Sequence, residues 1–134
     1  MSRSLIQTAN QSAQTVAVNS TIALGSTLRR FGCNCRLNGN SIEVDGAGYY
    51  TVSGTITLAP TAAGNASVGV FVNGVPITGA TVTGSVTTAG NTITLPIETT
   101  IRQGCNCDGA SQIQIVLTAG ASTVTGVSMR VEKV

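Results

Sequence analysis

The chain has 134 residues, of which 42% are apolar but only 9% charged and 3% aromatic, with no His and no Trp. That length suits one domain with a sizeable core, and the apolar content excludes a disordered chain. A net charge of +2 with two Tyr and two Phe gives neither the basic footprint nor the stacking platform of a nucleic-acid binder, and no apolar run reaches the roughly eighteen residues of a membrane-spanning helix.

In chain order, residues 1–13 read as a polar N-terminal arm without clear alternation. The start, Met1-Ser-Arg-Ser-Leu-Ile-Gln, turns polar after two aliphatics. It lacks the apolar stretch of a secretory leader, so the expected starting compartment is the cytoplasm. Residues 14–134 read as one β domain. Asp45-Gly-Ala-Gly48 separates Ser41–Val44 from a long strand whose Tyr50, Val52, Ile56 and Leu58 share a face. Gly54 interrupts that strand, and a bulge or a close backbone approach is expected there.

A loop opens at Pro60–Gly64, and Val68, Val70 and Val72 then alternate with Ser67, Gly69 and Phe71. Asn73-Gly74 predicts a type I′ hairpin turn, because both central residues need positive φ. Pro76 and Pro96 mark strand edges, ends or bulges. Thr88-Ala-Gly-Asn91 predicts a second hairpin, leading into Ile93, Leu95, Ile97 and Ile101 on one face, with Thr92, Thr94, Glu98 and Thr100 opposite. Asp108-Gly109 turns into Ile113, Ile115 and Leu117, and Val127, Met129 and Val131 close the series. No helical period occurs, and twenty threonines reinforce the strand preference. Eight to ten short strands predict an all-β, antiparallel sandwich or barrel.

Typical domains carry about 25% charged residues, so here Thr, Ser, Asn, Gln and Gly must cover the surface. Few charges then need desolvating where the protein meets a partner. Catalytic machinery is equally thin. Without His, the acids Glu43, Asp45, Glu98, Asp108 and Glu132 leave few candidates for proton transfer. A structural or binding protein is expected, with no enzymatic activity and no cofactor.

All four cysteines fall in two matching hexads, Arg30-Phe-Gly-Cys33-Asn-Cys35 and Arg102-Gln-Gly-Cys105-Asn-Cys107. In extended backbone, residues i and i+2 project to the same side, so each Cys-x-Cys presents both sulfurs together. Three states remain open. The hexads could form two cross-strand disulfides, for example Cys33 with Cys107 and Cys35 with Cys105. Four thiolates could hold zinc or an iron–sulfur cluster, although Cys-x-Cys is tighter than the usual Cys-x-x-Cys, so no metal is favoured. They could also be reduced and packed as small apolar residues. Arg29, Arg30, Arg36 and Arg102 flank the cysteines as a candidate contact patch for an acidic surface, and a nearby guanidinium would lower the thiol pKa.

Ser41-Ile-Glu-Val-Asp-Gly-Ala-Gly-Tyr-Tyr-Thr-Val-Ser-Gly-Thr-Ile-Thr-Leu58 resembles the central signature of TNF/C1q-like jelly rolls, an extended strand after a Gly-x-Tyr step. Ser67–Ile77 resembles the next hairpin, Asn91–Ile101 the penultimate interface strand, and 112–117 with 123–131 the last two. The text is also similar to the C-terminal domain of collagen-like spore glycoproteins of bacilli and clostridia, and to small proteins encoded in Firmicutes prophages. This chain lacks the Gly-x-y stalk of the spore proteins. The paired hexads do not belong to the general pattern of the family.

The resemblance implies a homotrimer, with Tyr49 or Tyr50, Val52, Ile93 and Leu95 near the threefold axis. A charge-poor trimeric jelly roll fits a structural protein of a tailed-phage virion, a capsid decoration or head-spike protein. It would assemble in the host cytoplasm and meet a major capsid or other virion protein, not nucleic acid or a membrane. Residues 1–13 would be the docking arm. The other readings are a bacterial cell- or spore-surface protein and a receptor- or carbohydrate-binding module. The last is disfavoured, because sugar platforms need exposed aromatics, and Tyr49, Tyr50, Phe31 and Phe71 are too few and expected to be buried.

Overall fold

The computed structural model describes residues 4–32, 34–103 and 110–134. Twelve strands are present among them: β1 (Leu5–Asn10), β2 (Gln14–Val16), β3 (Ser20–Thr21), β4 (Ser26–Phe31), β5 (Cys35–Asn38), β6 (Ser41–Val44), β7 (Gly48–Pro60), β8 (Gly64–Val72), β9 (Val75–Val86), β10 (Ile93–Gln103), β11 (Ser111–Ala119) and β12 (Ser122–Lys133). They pair antiparallel into two sheets. A front sheet runs β10-β7-β12-β1-β4, with β2 also on β12, and a back sheet runs β5-β6-β11-β8-β9, with β3 also on β11. This is the expected all-β sandwich.

Alternation decides which side chains meet between the sheets. Tyr50, Val52, Ile56 and Leu58 of β7 are fully buried, as are Ile113, Ile115 and Leu117 of β11. Val127, Met129 and Val131 of β12 join them. Fully burying such a side chain contributes about 1.5–3 kcal/mol, so one-residue slips of register, which would turn these faces outward, are strongly disfavoured. Gly54 is a close approach, lying against Met129; the register shift on that pair of strands falls between Val124 and Gly126. Pro76 and Pro96 sit on β9 and β10, the edge strands of their sheets, where a missing N–H costs least.

The Asn73-Gly74 turn forms as expected, with φ of 54° and 81°, joining β8 to β9 at Val72 and Val75. Two other expectations change. Thr88–Asn91 is not a hairpin: β9 pairs with β8 in the back sheet, whereas β10 pairs with β7 in the front sheet. This connection carries the chain from one sheet to the other. The described part of residues 1–13 is built into a sheet rather than standing free as an arm. β1 lies inside the front sheet between β12 and β4, with Ile6 and Thr8 fully buried. The following segment crosses one end of the sandwich and buries Val16, Ile22 and Leu24.

Candidate functional site

The opposite end of the sandwich carries the described residues that flank and begin the cysteine hexads, among them Cys35, Arg102 and Gln103. Cys35 pairs with Val44, and Val44 pairs in turn with Ser111. Gln103, the last residue of β10, pairs with Gly48, and Ser111 Oγ donates to Gln103 Oε1. The flanks of both hexads are therefore brought together at one end. Cys33, Cys105 and Cys107 lie outside the described residues. A polar knot organises the rest: Asn34 Nδ2 donates to the Asp45 carbonyl at 2.8 Å, and Ser4 Oγ donates to Asn34 Oδ1 at 2.8 Å. The Tyr50 hydroxyl reaches the carbonyl oxygens of Asp45 and Gly46 at 2.6 and 2.8 Å.

Cys35 is a free, fully buried thiol. Burial pushes its pKa up to about 11, and Asp45 adds to the rise; Arg30 and Lys133 pull the other way without prevailing. The expected depression by arginine thus does not hold for Cys35, because desolvation of the thiolate outweighs the guanidinium. A thiol held protonated at neutral pH is a poor nucleophile and a poor ligand.

The four candidate arginines do not form one patch. Arg30 Nε donates to the Cys35 carbonyl at 2.7 Å, tying the edge strand β4 of the front sheet to β5 of the back sheet. Arg36 is on the back sheet, 2.6 Å from Glu43 and 3.5 Å from Asp45. Arg29 and Arg102 lie on the front sheet's outer face, on the opposite edge strands β4 and β10. Neighbouring residues of a strand point to opposite sides, so a cluster in sequence is divided in space.

The candidate axis residues divide as well. Tyr50, Val52 and Leu95 are packed between the sheets, and Ile93 is part-buried against the same core. A side chain already enclosed in its own core cannot also contact a second copy. Tyr49 alone points outward, 56% exposed.

That outer face is the broadest candidate surface. One straight row crosses it: Arg29, Gln7, Arg130, Ser53 and Glu98, from β4, β1, β12, β7 and β10 respectively. A shallow trough of about 550 Å³ lies along it, walled by Arg130 and Glu98 with Ser53 and Thr55 between. Toward the cysteine end the face becomes apolar. Phe31 is 61% exposed beside Leu5, and the two line a cleft of about 460 Å³ with Val134. Val134 N donates to the Tyr49 carbonyl at 2.9 Å. Phe31, Leu5 and Tyr49 so mark a strip across β4, β1 and β7, with Val134 just past the end of β12. The expectation that the aromatics are too buried to bind anything is corrected for two of the four.

None of the family models matches the sequence, and no curated protein matches it. Solved structures do. Murine APRIL is similar over 99% of this chain and 100% of its own, with a TM-score of 0.76 at 10% identity. The globular domain of zebrafish complement 1qA covers 94% of each chain, with a TM-score of 0.70 at 6% identity. PRD1 vertex protein P5 covers 98% of this chain and 96% of its own, with a TM-score of 0.58 at 13% identity. At such identities the likeness is one of fold, and the fold of this chain is the TNF/C1q-like jelly roll.

Proposed function

We propose that this chain is a non-enzymatic structural protein of a tailed-phage or prophage virion. It works as a homotrimer that docks on the particle as a capsid decoration or head spike, with a major capsid or other virion protein as its partner. The observation that carries the reading is the front sheet's outer face, a wide uncovered sheet surface on which Ser, Thr and Gln stand among five charged residues. Its neutral polar side chains cost less to desolvate against protein than charges would in their place. The shared fold with PRD1 vertex protein P5 supports a place on a virion. Because β1 is built into the sheet, docking falls to the folded domain rather than to a free arm.

The test is to fractionate a lysate of producing cells on a density gradient. The protein should sediment with filled particles, in a copy number divisible by three. Recovery only in spores or the cell envelope would instead support a bacterial surface protein and overturn the virion reading.

A second reading, a receptor- or carbohydrate-binding module, is favoured by the exposure of Phe31 and Tyr49 on one face. Exposed rings offer apolar faces for sugar or peptide. Glycan-array binding that disappears in Phe31→Ala and Tyr49→Ala would support it, and an array blank for the native protein would remove it.

A further inference from the structure

Charges on the two sheets are handled differently. On the back sheet, Arg36 sits between Glu43 and Asp45 and pairs with both. On the front sheet, no ion pair forms among the described residues: Arg29, Arg130, Glu98, Glu132 and Arg102 all lack one. Half of the ten charged residues described thus stand on one face with no ion-pair partner among the described residues.

The signs are segregated within one row across the face. Within the row Arg29–Gln7–Arg130–Ser53–Glu98, the bases occupy the β4–β1–β12 half and the acid sits on the edge strand β10. Arg130 and Glu98 stand two strand spacings apart, about 10 Å between backbones, on opposite sides of the trough and with Ser53 between them. β10 carries Glu98 and, four residues on, Arg102, while β12 carries Arg130 and then Glu132. The two strands run the same way with opposite signs in order, so the β10 edge of one copy is complementary to the β12 region of another docked edge to face.

We infer that Glu98 on the β10 edge of one copy pairs with Arg130 on the front sheet of the next, and that this pair fixes how copies of the chain associate. The inference rests on the trimer reading above and assigns its contact. The Ser, Thr and Gln side chains around the pair cost less to dehydrate than further charges would, and exclusion of water strengthens the attraction between the two charges. An edge-to-face contact is heterologous, so it leaves a free edge and a free face on each pair and can close into a ring. Arg29, at the far end of the same row, adds a second positive charge to the attraction.

Charge reversal tests the pair by sedimentation over a concentration series at low salt. Glu98→Arg and Arg130→Glu each set like charges against one another and should weaken association at least tenfold. The double reversal in one chain restores opposite charges at every contact and should return association to within about threefold of the native protein. In a ring of three, an equimolar mixture of the two single variants leaves one contact mismatched, so it should recover less than the double reversal. Circular dichroism checks that each variant is folded. Glu98→Gln and Arg130→Gln replace any reversal that is not, with a smaller weakening expected in each.

If the native protein forms trimers and the single variants do too, with unchanged affinity, the assigned pair is wrong while the trimer stands. Loss of association that the double reversal fails to restore also overturns the pair. A native protein that stays monomeric at all concentrations overturns the trimer reading itself.

Discussion

Gly54 of β7 and Met129 of β12 are paired across the front sheet, and the methionine sulfur occupies the space that a Cβ on Gly54 would need. That Cβ would stand 2.5 Å from the sulfur and 3.2 Å from the Met129 Cα, and closer still to the Ser128 carbonyl oxygen. The sulfur could swing aside, but the carbonyl belongs to a paired backbone. Gly54→Ala should therefore destabilise by about 1–3 kcal/mol through overpacking, read as a lower midpoint in urea with an unchanged slope. A midpoint equal to the native one would show that β12 yields without cost.

Alkaline pH should weaken the fold through Tyr50 and Cys35. Burial pushes Tyr50 up to about 12 and Cys35 up to about 11, both above the values of an unfolded chain. Unfolding at high pH thus releases protons from these groups. Their contribution is intact below about pH 9 and is lost as pH rises through 11 and 12. Denaturation midpoints between pH 8 and 12 should fall, and Tyr50→Phe with Cys35→Ala should flatten the decline. At neutral pH, Tyr50→Phe should cost about 1 kcal/mol for the lost hydrogen bond to Asp45 and Gly46. An alkaline slope unchanged in the double variant would exclude these two groups as its source.

Cys35 should be silent toward thiol reagents in the native protein. Its side chain has no exposure, and burial keeps it protonated. Cys35→Ala should leave the native thiol titre unchanged and lower the titre in denaturant by one. A drop in the native titre would mean that the β5 edge opens on the timescale of labelling.

Acid pH acts on Glu43. Hydrogen bonds from Asn38 and then Arg36 hold its carboxyl below the usual range. A carboxylate held down in this way adds stability above its unfolded pKa, near 4.5, and loses it as pH falls through the folded value. Glu43→Gln should reduce the acid-side slope of stability and leave the midpoint above pH 7 lower than native. Equal acid slopes in the two proteins would remove Glu43 as a contributor.

Period-two alternation made the strands and their buried faces readable in the sequence, because facing in or out is a local property of extended backbone. Asn73-Gly74 was readable for the same reason: its positive φ values and the bonds of Asn73 Oδ1 and N to Gln112 involve short side chains suited to that turn. β1 escaped notice because its inward face carries a polar residue. Thr8 is fully buried beside Ile6, and its Oγ1 has no hydrogen-bond partner among the described residues. A threonine among polar neighbours gives no sign that it faces a core.

Strand partners and the grouping of charges were decided by tertiary structure alone. Thr88–Asn91 carries the same turn residues whether its strands pair with each other or leave for different sheets. The hydrogen bonds of β9 with β8 and of β10 with β7 make that choice. Arg29 and Arg30 are adjacent in sequence, yet one stands on the front face and the other reaches across to β5. Conversely, Arg130 and Glu98 are far apart in the chain and share one row because β7 lies between their strands. The sequence by itself determined which residues of the regularly alternating strands face inward, because that is a local property of extended backbone. Contacts between residues distant along the chain decided what stands beside what.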